Sequence, residues 1–353
     1  MSDDHDPASG TLALPSESLP DTAPQPTTAQ GDPLSDVLRT VKLNAAVYFL
    51  IDASTPYCVD IPHTDAYRSI LQAGAGHMMS YHVIVEGGGV AAVPGGEPIE
   101  YAAGDVIVFP QGDGYKMGTA ADTPPEFNAE QTMGFFRALA AGTLPFVIPE
   151  GGGGSPKTKV ICGFMGCDPG PFNPLLAHLP RLLRVRWAGS GLLDRLIDLT
   201  MAEVHAGRTG ADIIRLGLSE LMFLETLRHH INTSETEEKS WLAALRDPVT
   251  ARALTALHQA PSQHWTLASL ASESATSRSV LAERFTAHTG LAPMQYLTRW
   301  RLQLAARRLA DSNARVSAIA HDVGYSSEAA FSRGFKKLTG QSPTAWRRGQ
   351  RLS

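Results

Sequence analysis

Short apolar runs broken by glycine in the first half, helix-period apolar segments in the middle and a basic, self-repeating segment at the end predict an α+β protein. With 353 residues, 43% of them hydrophobic, the chain can bury two cores, so the strand-rich and all-helical parts are expected as separate domains. Residues 1–33, rich in Pro, Ser, Thr and Asp, read as a disordered tail without the basic start and apolar core of a secretory signal. Residues 34–231 read as a strand domain with an attached helical region, 232–246 as a polar linker and 247–353 as a helical domain.

The runs AAVYFLI, YHVIVEGGGVAAV and GDVIVFP are short and partly β-branched, which favours strands joined by tight turns. Alternation in KTKVICGF sets Val160, Cys162 and Phe164 on one side of a further strand, and EGGGGSPKT ahead of it reads as a mobile loop. From Asn173 to Ile231 the pattern favours helices, in PLLAHLPRLLRV, SGLLDRLIDLTMAEVHA and GADIIRLGLSELMFLETLRHHI. The last is apolar on more than one side, through Ile213, Ile214, Leu218, Leu221, Leu224 and Leu227, so it needs cover from a second subunit or from internal packing. No apolar run approaches about 18 residues, which argues against a membrane span. Three cysteines, Cys58, Cys162 and Cys167, fit a reducing cytoplasm better than a secreted disulfide framework.

The formal net charge of −5 hides a division: residues 248–353 hold 14 basic and 5 acidic residues, the rest 16 basic and 30 acidic. A basic module on an acidic body points to a polyanionic partner for the C-terminal part. Within it, Leu267–Leu297 and Val316–Trp346 repeat one another. Leu270 and Ala271 fall on Ile319 and Ala320; after one extra residue, Phe285, Gly290, Pro293 and Tyr296 fall on Phe335, Gly340, Pro343 and Trp346. Each unit reads as a short apolar helix, a tight turn and a second helix, a helix-turn-helix by pattern.

In the second unit Gly324 suits a turn at positive φ, Ser326 or Ser327 can cap the next helix, and Phe331 and Phe335 mark its buried stripe. The outer face keeps Ala329, Ser332, Arg333 and Lys336, small and basic enough to enter a major groove. In the first unit Leu281 and Phe285 are the buried pair, with Arg278, Ser279, Ala282 and Glu283 outward; Glu283 can accept from a cytosine amino group or pair with a nearby arginine. Ala275 stands in Gly324's place, so that turn is expected to be strained by roughly 1 kcal/mol or to differ in conformation. Between the units, Pro293 to about Ala310 reads as one rigid helix of about 25 Å, with Arg299, Arg301, Arg307 and Arg308 available to a DNA backbone or to solvent.

The stretches GYSSEAAFSRGFKKLTGQSP and SRSVLAERFTAHTG resemble the AraC/XylS family of bacterial transcription factors, and the strand region resembles the subgroup whose N-terminal half is a cupin-type β-barrel. The resemblance implies double-stranded DNA as partner, two recognition helices in successive major grooves, and an N-terminal domain that senses a small molecule or oxidant, dimerises, or both. RNA polymerase is implied as a further partner, and a cytoplasmic location. Carried over by position, Ser279, Glu283, Ala329 and Arg333 are the base-facing places; neither activation nor repression follows.

Enzymatic cupins hold a metal with paired histidines, a glutamate and a further histidine. Here SYHVIVEGGG has Ser80 for the first histidine while keeping His82 and Glu86, and GDVIVFPQGDGY has Tyr115 for the last ligand. That set is poor for iron or zinc, so no catalytic residue, metal or cofactor is expected; the rival reading is a metal-dependent cupin enzyme with an accessory DNA-binding domain. His82, Glu86 and Tyr115 then either line a small-molecule pocket or satisfy one another inside the domain. Cys162 and Cys167, across a glycine-containing bend in CGFMGCD, are either core residues or a redox pair.

Overall fold

The computed structural model describes residues 32–41, 43–168, 170–187, 191–206, 208–233 and 240–350. The segment read as a tail lies outside these up to residue 31; Asp32 and Pro33 open the first helix, where the Asp32 carboxylate accepts from Leu34 N at 3.1 Å and Ser35 Oγ at 2.6 Å. In chain order the first part comprises α1 (Pro33–Val41), β1 (Asn44–Thr55), β2 (Cys58–Ile61), α2 (Arg68–Leu71), β3 (His77–Glu86), β4 (Gly88–Ala92) and β5 (Ile99–Ala102). It continues with β6 (Asp105–Phe109), β7 (Tyr115–Gly118), α3 (Ala129–Ala140), β8 (Val147–Gly151), β9 (Gly154–Cys167), β10 (Leu183–Arg186), α4 (Leu192–Ala206) and α5 (Ala211–Thr233). Helices α6 (Trp241–Ala244), α7 (Pro248–Gln259), α8 (Leu267–Glu273), α9 (Arg278–Thr289), α10 (Pro293–Asp311), α11 (Val316–Asp322), α12 (Glu328–Thr339) and α13 (Pro343–Gln350) complete it.

The strands form two sheets rather than the closed barrel expected: six in the order β10-β6-β3-β9-β1-β8, and four in the order β2-β7-β4-β5. Period-two alternation buries both faces of the larger sheet. Phe49, Ile51, Ile107, Phe109, Val160, Cys162 and Phe164 point to the smaller sheet and α3, where they meet Tyr101, Tyr115, Met117 and Phe136. Tyr48, Leu50, Tyr81, Val83, Val106, Val108, Ile161 and Met165 point the other way, onto Leu218, Met222, Phe223 and Leu227 of α5. Glu220 accepts from Ala45 N at 3.0 Å, and Tyr81 is hydrogen-bonded to Ser219, so polar contacts fix α5 as well.

Several local expectations are overturned. EGGGGSPKT is no mobile loop: only two residues separate β8 from β9, because β9 begins at Gly154 and pairs with β1 along its length. PLLAHLPRLLRV is helical only in a single 3-10 turn, Leu176–His178; Pro180 interrupts it, and Leu183 and Val185 alternate inward with Arg184 and Arg186 outward as β10 pairs with β6. Only part of the linker expected over 232–246 is described. Asn232 and Thr233 still belong to α5, residues 234–239 lie outside the described set, and α6 is built into the helical domain by fully buried Trp241, whose Nε1 donates to the Tyr296 hydroxyl at 2.9 Å.

All the described residues belong to one compact unit. The core between sheet and α5 runs on into Trp241, Leu254, Leu257, Leu270, Phe285, Tyr296 and Trp300, so the first helix-turn-helix unit shares it. The second unit has its own core of Leu302, Leu309, Ile319, Phe331 and Phe335. Helix α10 contributes its first half to one core and its second half to the other.

Candidate DNA-reading helices and sensor cavity

The two units are built alike. Ser277 caps α9 by accepting from Val280 N at 3.3 Å, and Ser327, not Ser326, caps α12 by accepting from Ala330 N at 3.2 Å. Both helices end in left-handed glycines, Gly290 at φ 68° and Gly340 at φ 75°. The preceding turns pass through Ala275 at φ 51° and Gly324 at φ 88°. Ala275 therefore takes the left-handed conformation that the repeat demands, at about 1 kcal/mol of strain.

In α9, Leu281 and Phe285 are buried while Arg278, Ser279 and Glu283 are exposed. In α12, Phe331 and Phe335 are buried, Ala329, Arg333 and Lys336 are exposed and Ser332 is half-buried. Arg284 pairs instead with Asp247 at 2.9 Å, and the arginines of α10 are mostly committed within the protein. Arg307 and Arg308 pair with Asp311 and Asp322 at 2.7 and 2.6 Å. Arg301 donates to the carbonyls of Pro261, Gln263 and Gly324, and so clamps the turn of the second unit. Arg299 is exposed, with its guanidinium 5.9 Å from the Phe172 ring centre. Helix α10, with 19 residues, is about 28 Å long, close to the one-turn spacing of successive major grooves.

In the strand domain, His82 and Tyr115 come together and Glu86 does not. His82 is buried, its ring nitrogens hydrogen-bonded to the Tyr115 hydroxyl at 2.8 Å and the Cys162 thiol at 3.2 Å. Burial holds its pKa down to about 3, so the imidazole is neutral. A regular strand would put residues 82 and 86 on one face, but a bulge between Ile84 and Glu86 flips the latter outward, where Lys159 pairs with it at 2.7 Å. Glu86 therefore drops out of the expected pocket. The donors for a cupin metal do not fit: His82 has both nitrogens engaged, Glu86 faces solvent, and Ser80 and Tyr115 replace the remaining ligands.

Of the two readings of Cys162 and Cys167, the redox pair fails on geometry and core packing remains. β9 is continuous through both, so five positions along the strand put them about 16 Å apart and on opposite faces. Cys162 lies in the core between the sheets and Cys167 in the core against the helices. Burial raises both thiols, Cys167 to about 12, so neither is an activated thiolate.

Beside His82 lies a cavity of about 60 Å³, lined by Phe49 and Ile51 of β1, Val59, Asp60 and Ile61 of β2, Phe127, Thr132, Phe135 and Phe136 of α3 and its approach, Glu150 of β8 and Cys162 and Phe164 of β9. The α3 and β8 residues were missed in the sequence. A legible signal was NAEQ, since Asn128 and Gln131 form a capping box that starts α3; nothing marked Glu150.

A β-domain stacked on helices and carrying paired, outward-facing helix-turn-helix units defines a DNA-binding regulator. A family model described as Cupin matches residues 32–232, and one described as Helix-turn-helix domain matches 270–349. An AraC-like transcription regulator of Streptomyces lividans is 34% identical over 90% of this chain and 98% of its own. The HTH-type transcriptional regulator AlkR of Acinetobacter baylyi is 28% identical over 90% of this chain and 99% of its own. The solved DNA-binding domain of AdpA, in complex with a target DNA, is 32% identical over 30% of this chain and 95% of that one, with a TM-score of 0.29. The chain belongs to the AraC-like transcription regulators, with a cupin domain preceding its helix-turn-helix domain.

Proposed function

We propose that this transcription regulator reads its operator through α9 and α12, with Arg278, Ser279 and Glu283 in one major groove and Ala329, Ser332, Arg333 and Lys336 in the next. The observation that carries this is the matched pair of capped helices, each with two buried apolar anchors and a polar outer face, joined by an α10 of about one-turn length. Arg333→Ala should weaken operator binding by about 1–3 kcal/mol at fixed ionic strength and relax preference at one base step. Unchanged affinity in a gel-shift titration would remove Arg333 from the interface.

The reading continues to a non-catalytic sensor. A small molecule in the cavity touches β1 and β8, and β1 follows directly on α1, which packs on α7 and α10. There Asp36 lies 3.7 Å from buried His258, and Phe172 N donates to Gln303 Oε1 at 3.0 Å. A ligand that shifts these contacts by about 1–3 kcal/mol would alter operator affinity about 5- to 150-fold. The protein acts in the cytoplasm, and a promoter-bound copy would be placed beside RNA polymerase.

A homodimer forms through α4 and α5, where Leu199 is 56% and Ile213 74% exposed, with Leu192, Ile214 and Leu221 also exposed. Sedimentation of Ile213→Asp tests it: a monomeric variant of a dimeric parent is expected, and an unchanged mass overturns it. Among the described residues no helix is long and apolar enough to cross a membrane.

A further inference from the structure

We infer that the cavity between the two sheets takes a small organic cation, a short-chain alkylammonium, gripped by the Glu150 carboxylate with its apolar body among Phe49, Phe135 and Phe164. This rests on the effector-sensing reading above and adds the chemical class of the effector. The first observation is an unmet acceptor: Glu150 lines the cavity, and its Oε2 is buried without a hydrogen-bond partner among the described residues. An unpartnered buried carboxylate oxygen is costly, and a ligand that donates to it removes that cost. The other polar groups in the lining are already engaged. His82 is bonded through both nitrogens, and the Thr132 hydroxyl donates to Asn128 O at 3.1 Å.

The second observation is the sign of the charge. Among the described residues the lining holds Asp60 and Glu150 and no lysine or arginine. A carboxylate or phosphate would meet only like charge there, whereas an ammonium meets a counter-ion. The third is the wall. Phe49 lies edge-on to Phe135 at 5.7 Å and stacks with Phe164 at 6.3 Å, so ring faces and edges bound the apolar side, a setting that favours a cation with a hydrocarbon body. Free space of about 60 Å³, well below the roughly 150 Å³ of a cavity that takes benzene, keeps that body small, propyl to butyl in size.

The groups around Glu150 that titrate are Glu126 ahead of α3, Asp60 on β2, Tyr57 before it, His82 on β3, Tyr115 on β7 and Cys162 on β9; Lys116 is drawn off to Asp60 at 3.4 Å. Burial and Glu126 raise the Glu150 carboxyl to about 7, and a bound ammonium would pull it back toward the ionised form. Binding should therefore weaken about tenfold from pH 8 to pH 6, because at the lower pH a proton occupies the carboxylate.

The test is calorimetric titration of the full chain with n-propylammonium and n-butylammonium, their matched alcohols and their matched carboxylates, with operator affinity measured alongside. The ammonium ions should bind, the carboxylates should not, and Glu150→Gln should lose about tenfold or more of the ammonium affinity while keeping its melting profile. Alcohols binding as well as the ammonium ions, or carboxylates binding at all, would overturn the assignment even if Glu150→Gln failed to fold. So would ammonium binding with no dependence on pH. Ammonium binding that leaves operator affinity unchanged would keep the site and refute sensing. Alcohol binding that changes operator affinity would keep sensing and refute the ammonium class, and no binding by any probe would refute the assignment.

Discussion

Gln303→Leu isolates the contact between the strand domain and α10. Gln303 is 2% exposed, and its Oε1 accepts from Phe172 N at 3.0 Å. The turn approaches so closely that a Cβ on Gly170 would lie 2.3 Å from that same oxygen. Phe172 then sets its ring edge-on to Tyr296 at 5.4 Å and beside the Arg299 guanidinium. Leucine keeps most of the buried volume but removes the acceptor and leaves the Phe172 N–H unsatisfied, a loss of about 1–3 kcal/mol from the docked turn. If the turn opens locally, its amides should exchange about 5- to 150-fold faster in the variant, read by hydrogen exchange on the peptide spanning residues 170–175. Peptides from α12, which sits in a separate core, should be unaffected. Unchanged exchange at 170–175 in a folded variant would refute the claim that Gln303 holds the domains together.

The turns of the two units predict opposite effects from reciprocal swaps. Gly324→Ala would force φ 88° on alanine and put its Cβ 2.8 Å from Ser262 Cα, costing about 2–4 kcal/mol, whereas Ala275→Gly trades relief of strain against chain entropy and should stay within about 1 kcal/mol; melting of the two variants decides. His82 is held neutral to about pH 3, so below about 6.5 the unfolded chain binds a proton that the folded chain refuses. Its contribution is complete above pH 6.5 and is lost on acidification at about 1.4 kcal/mol per pH unit, so His82→Gln should flatten denaturation midpoints between pH 6.5 and 5, and an unaltered slope would contradict it. Cys162 and Cys167 should react slowly with a thiol reagent in the native protein and should not pair under mild oxidant; an intramolecular disulfide on a non-reducing gel would contradict the strand geometry.

Much of the helical half was legible because its signals are local. The serine caps, the terminal glycines and the Phe331/Phe335 stripe each depend on residues within one or two turns, and the repeat states each twice. In the strand half, alternation was enough to put Val160, Cys162 and Phe164 on one face. Composition misled where pairing partners were distant: the glycine run became the tight β8–β9 connection and PLLAHLPRLLRV ended in a strand, since both find their hydrogen bonds on β1 and β6, far along the chain.

By itself, then, the sequence determined the class of the protein, the two capped helices α9 and α12 and their outward residues, because helix periodicity, capping and charge are written in neighbouring positions. Only the tertiary structure decided that Glu86 leaves the pocket, that the two cysteines face apart, that Glu150 enters the cavity and that α10 is shared between two cores. A single bulge flips every later side chain on a strand, and which groups then meet across two sheets depends on register between segments up to about 120 residues apart.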